Sequence, residues 1–112
     1  MTRKRYQRVL CRDGYDISVQ AGTYSYSHPR DDCGPYSEVE LGFPNRPDPL
    51  IDSYAESPDS LINTVYPYVP SKIVHLLIVK HGGALSGEVP DGVTLLMAPD
   101  AIATESDPNG ER

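Results

Sequence analysis

Residues 37–43 carry the plainest pattern in the chain: Val39, Leu41 and Phe43 alternate with Glu38 and Glu40. That period of two predicts a half-buried strand with the apolar three facing a core. Residues 6–20 predict a β-hairpin, because Asp13-Gly14 suits a two-residue type I′ turn between two β-prone runs. Such a turn pairs Arg12 with Tyr15, Leu10 with Ile17 and Arg8 with Val19. Leu10, Ile17 and Val19 then form the core face, and Val9, Cys11, Asp16 and Ser18 the more polar one.

Farther along, residues 71–81 predict a helix, entered at Pro70-Ser71 and closed by Lys80, His81 and a C-terminal cap at Gly82. Its apolar stripe is Ile73, Leu76, Leu77 and the stem of Lys80, with Val74, Ile78 and Val79 widening it. The β-branched residues leave a buried strand as the alternative, and the caps favour the helix. Residues 64–69 are extended, because residues before proline avoid the helical region. Residues 50–63 are ambiguous, since Pro58 argues against one continuous helix. Residues 93–97 predict a last short strand, and 21–36 and 83–92 predict long loops.

Together these elements predict an α+β fold, a small antiparallel β-sheet packed against one main α-helix. The length of 112 residues fits a single domain over 1–99, with 100–112 as a flexible acidic tail. Hydrophobic residues are 38% of the chain, and eleven prolines with nine glycines leave a small core and long loops. No apolar run approaches the roughly 20 residues of a membrane span. The basic N-terminus lacks the apolar segment of a signal peptide, so the expected location is the cytoplasm. Spare apolar surface on the 71–81 helix would suit a homodimer.

Charge is unevenly placed within the net −6. Residues 1–30 carry +4, whereas 31–60 carry −7, from Asp31, Asp32, Glu38, Glu40, Asp48, Asp52, Glu56 and Asp59 against Arg46 alone. This field repels nucleic acid and attracts basic protein surfaces, despite the basic run Arg3-Lys4-Arg5. Eight of the nine aromatic residues are tyrosine. Tyr24, Tyr26 and Tyr36 lie in the 21–36 loop among Ser, Gly, Thr and Asp, a composition of recognition surfaces. Marginal core packing is the alternative role for such tyrosines.

Motifs for chemistry are absent. Cys11, His28 and Cys33 with His75 and His81 show no CxxC or HxxxH spacing and only a weak His28-x4-Cys33 signal, so free thiols are expected. Cys11 sits in a regular strand, and Cys33 follows Asp31-Asp32, whose charges suppress a thiolate. Gly82-Gly83 follows a helix rather than preceding one, the wrong end for anion binding by a helix dipole. No catalytic group or cofactor is therefore expected.

The segments Arg8-Val-Leu-Cys-Arg-Asp-Gly-Tyr15 and Tyr68-Val-Pro-Ser-Lys-Ile-Val74, with Lys80-His-Gly-Gly83, resemble small proteins encoded by phages and other mobile elements. The resemblance is one of style, and implies a class that includes inhibitors of host machinery such as the anti-CRISPR proteins. It implies a non-catalytic inhibitor of a host nucleic-acid-binding complex. The residues themselves nominate the docking surface: Tyr24, Tyr26, Asp31, Asp32, Tyr36, Glu38, Glu40, Asp48 and Asp52. Two other functions fit the same chain. One is a nucleotide sponge closing loops 21–36 and 83–92 over a ligand; the other is a small virion structural or assembly protein.

Overall fold

The turn after the first strand decides how the sheet is built. The computed structural model describes residues 5–99. In it, β1 (Val9–Cys11) and β2 (Asp16–Gln20) pair antiparallel, with Val9 opposite Ile17 and Leu10 opposite Asp16. The loop has three residues, not two. The Cys11 N–H donates to the Tyr15 carbonyl (2.7 Å), the Gly14 N–H donates to the Cys11 carbonyl (3.0 Å), and Gly14 takes φ +95°. A third, left-handed loop residue shifts the register by one and turns the whole of β1 over. Val9 and Cys11 are therefore buried, and Leu10, expected in the core, is 37% exposed. On β2, Ile17 and Val19 face the core as expected.

The full sheet is antiparallel, in the order β4-β3-β2-β1-β5, with β3 at Glu38–Gly42, β4 at Val65–Pro70 and β5 at Ala84–Ser86. With one main helix beside it, this is the expected small α+β fold. Val39 and Leu41 are buried, opposite Val69 and Tyr66 of β4. Phe43 does not join them: it lies past the strand end at φ +52° and is 48% exposed. β5 falls where a loop was expected, and pairs with the free edge of β1. The expected strand at 93–97 is reduced to one parallel bridge, Met97 to Ala84. The expected tail, 100–112, lies outside the described residues.

Helix α1 spans Ser71–Lys80. Its start is tied to the sheet: the Ser71 N–H donates to the Ser37 carbonyl (2.9 Å) and its hydroxyl to the Tyr36 carbonyl (2.7 Å). Its end is a Schellman cap. The Gly83 N–H donates to Ile78 O and the Gly82 N–H to Val79 O, with Gly82 at φ +92°. The buried stripe is Val74, Leu77 and Ile78, with Ile73 at its margin. Leu76, expected inside, is 50% exposed, beside Val79. Residues 50–63 are irregular apart from one 3-10 turn at Asp52–Tyr54, and contribute Ile51 to the core. Among the described residues no helix is long and apolar enough to cross a membrane.

Candidate functional site

The polar face of the sheet carries the acidic residues of β3. β3 places Glu38 and Glu40 opposite in direction to Val39 and Leu41, and Glu40 stands beside Gln20 of β2. The 21–36 connection folds back onto this strand. The His28 N–H donates to the Glu38 carbonyl (3.0 Å), and the Ser37 N–H to the His28 carbonyl (2.8 Å). Glu40 accepts the Tyr26 N–H (2.8 Å), and the Tyr68 N–H of β4 donates to the Tyr26 carbonyl (3.1 Å). A tyrosine pair results: the Tyr26 and Tyr68 rings lie 5.8 Å apart, and the Arg30 guanidinium sits 5.2 Å over Tyr26.

The loop orders itself with its own carboxylates. Asp32 accepts the Thr23 N–H (2.8 Å), and Asp31 accepts those of Cys33 (2.9 Å) and Gly34 (3.2 Å). Both aspartates are exposed, and Tyr24 is 71% exposed. Tyr24, Tyr26, Asp31, Asp32, Glu38 and Glu40 are thus brought together on one loop and the strand it crosses.

Three nominated residues lie elsewhere. Tyr36 is buried, its hydroxyl donating to the Asp31 carbonyl (2.7 Å), so it anchors the loop from within. Asp52 is half-buried and faces Tyr66, whose phenol is pushed up by burial and then by the Asp52 charge. Asp48 is only 2% exposed. Loops 21–36 and 83–92 meet directly: the Tyr36 N–H donates to the Asp91 carbonyl (2.8 Å), and a Cβ at Gly92 would fall 2.5 Å from the Tyr36 carbonyl. Cys11 is buried in β1 and Cys33 is exposed in the loop. Among the described residues no three His, Cys, Asp or Glu side chains are grouped to hold a metal.

Asp48 belongs to a second cluster, which sequence reasoning missed. His81, at the C-cap of α1, lies between two carboxylates: Nδ1 is 2.6 Å from Asp13 Oδ2 and Nε2 is 2.6 Å from Asp48 Oδ2. Burial opposes ionisation of Asp48. The Lys80 ammonium (2.9 Å), the Leu50 N–H and His81 outweigh it and hold the carboxyl below the usual range. Asp13 behaves alike: burial raises it, and His81, the Tyr15 N–H and Arg46 (3.0 Å) lower it further. Each ring nitrogen of His81 thus faces one carboxylate oxygen at hydrogen-bond distance. The ring also stacks on Tyr15, 4.0 Å away and 5° from parallel. The sequence separations are 68 and 33 residues. The only local signal was the basic pair Lys80-His81 at a helix end.

Comparison with protein families, with curated proteins and with solved structures finds no match for this chain.

Proposed function

We propose that this chain is a non-catalytic protein-binding inhibitor of the phage- or mobile-element-encoded kind, acting in the host cytoplasm. In this reading its acidic, tyrosine-bearing face covers a basic, nucleic-acid-binding surface of a host protein or nucleoprotein complex. The observation that supports it is Tyr24, 71% exposed on a loop held by Asp32 and lying over the Glu38–Glu40 face. An exposed large aromatic on an ordered loop loses little conformational freedom on binding. Carboxylates around it favour encounter with a cationic partner and reject nucleic acid itself.

The test is capture from host extract at low salt, followed by reconstitution with the purified captured protein. The reading expects a nucleic-acid-binding protein that releases its nucleic acid when bound. It also expects binding to weaken sharply in Tyr24→Ala combined with Glu38→Lys. A captured protein that keeps its nucleic acid, or affinity and salt dependence unchanged in the double variant, overturns the reading. Sedimentation of the same preparation reads whether a second copy covers Leu76 and Val79.

A further inference from the structure

Tyr68 stands outside the core because β4 carries an extra residue. Val39 pairs with Val69 and Leu41 with Tyr66, so Glu40 of β3 faces two residues of β4, Pro67 and Tyr68. This is a β-bulge, a device that re-aims a side chain. Tyr68 takes φ +54° in it, a conformation that bulky residues rarely adopt. Tyr66 and Val69 are both fully buried as a result, and Tyr68 is turned outward, 41% exposed.

The outward ring meets the 21–36 loop. Tyr26 lies 5.8 Å from it, with the two ring planes opened to 51°. Glu38 is on the same outer face of β3, opposite Pro70, which makes Tyr68 its diagonal neighbour across the strands. Long and aromatic side chains reach each other at that spacing. The Tyr26 ring already carries a guanidinium, that of Arg30, 5.2 Å from its centre. Arg30 is exposed, and its Nε–H makes one long hydrogen bond to the Thr23 carbonyl (3.3 Å). It is the sole Lys or Arg between Arg12 and Arg46, set beside Asp31 and Asp32.

We propose that the Tyr26–Tyr68 pair seats an arginine side chain of the partner, with Glu38 as its carboxylate, and that Arg30 is an internal stand-in displaced on binding. This deepens the protein-binding reading above and rests on it. A guanidinium stacks on aromatic faces and bonds a carboxylate through a planar fork, whereas an ammonium is a hydrated point charge. The Arg30 stacking shows that the pair accepts a guanidinium plane. One long hydrogen bond and one exposed ring contact hold Arg30, so its release costs little.

The test is a titration of the isotope-labelled full chain with capped hexapeptides of arginine, lysine and citrulline at low salt. Saturable amide shifts centred on Tyr26, Tyr68 and Glu38 are expected, tighter for arginine than for lysine and absent for citrulline. Tyr68→Asn, a residue that tolerates the left-handed backbone, weakens arginine binding by about two- to fivefold, the scale of an exposed cation–π contact. Arg30→Gln, at an exposed position, strengthens it by about twofold or more, because a competing like charge is gone. Equal affinity for arginine and lysine, shifts spread over the acidic residues without this centre, unchanged affinity in folded Tyr68→Asn, or weaker binding by Arg30→Gln overturns the proposal. The peptides stand apart from the host extract: failure here leaves a captured nucleic-acid-binding protein standing, and failure of capture leaves the arginine seat standing.

Discussion

Asp48 is ionised although only 2% of its surface meets solvent. Burial alone would raise its carboxyl; Lys80, the Leu50 N–H and His81 lower it on balance, and Asp13 is lowered by His81, Tyr15 and Arg46 against its own burial. An unfolded aspartate titrates near 3.9. Folded values below that stabilise the fold above about pH 4, and the contribution is lost as pH falls through the lower folded values. Urea unfolding is therefore expected to show this contribution undiminished from neutral pH to about pH 5, and losing it below about pH 4. Asp48→Asn is expected to cost about 3 kcal/mol at neutral pH, because it breaks the ion pair of a buried carboxylate with Lys80, and to shrink the acid loss. A variant with wild-type acid sensitivity would deny Asp48 this role. Cys11 gives a second residue-scale prediction: burial and then the Asp13 charge push its thiol up to about 11. An aromatic disulfide reagent should modify only Cys33 in the native protein, and both thiols in urea. The His81 cluster was not legible in the sequence, because its partners join only when the hairpin turn and residues 44–50 are folded onto the helix end.

At the scale of elements, what could be read followed local chemistry. Caps at Pro70-Ser71 and Gly82 located α1, and the Glu–Val–Glu–Leu alternation located β3. What failed needed tertiary information. Asp13-Gly14 fits both a two-residue and a three-residue hairpin loop; burial of Tyr15, Val9 and Cys11 accompanies the second, at the cost of exposing Leu10. The seven-residue run Ile73–Val79 is apolar nearly all round, so its sequence did not fix which side faces the sheet. Val74, Leu77 and Ile78 do. Leu77→Ala is therefore expected to cost about 2–5 kcal/mol, and Leu76→Ala less than about 0.5 kcal/mol. Denaturant midpoints of the two variants check this, and equal losses would mean that the stripe is rotated. β5 was unreadable because three residues flanked by glycines carry too short a pattern, while the apolar 93–97 run contributes side chains such as Val93 to the core with only one bridge.

For the whole molecule, the uneven charge acquires a spatial meaning. Part of the −7 in residues 31–60 is spent internally, through Asp48, and part stays outside, through Asp31 and Asp32 with the half-buried Glu38 and Glu40. The candidate surface was thus legible as a segment, but not in its membership, since burial of Asp48 and Tyr36 depends on contacts distant in sequence. In the proposed protein-binding reading, the outer carboxylates and Tyr24 act on different stages of binding. Charges on a rim act before contact and are screened beyond about 10 Å at 0.1 M salt, so Glu38→Gln should slow association and flatten its salt dependence. Tyr24 has no long-range field; its effect comes from area buried after contact. Tyr24→Ala should leave the salt slope unchanged and weaken affinity by about 2 kcal/mol, roughly 30-fold, almost wholly through faster dissociation. Stopped-flow association and surface-bound dissociation, each at two salt concentrations, separate the two effects. If Tyr24→Ala alters the association rate and Glu38→Gln only the dissociation rate, the division of labour on this face is the reverse of the one proposed.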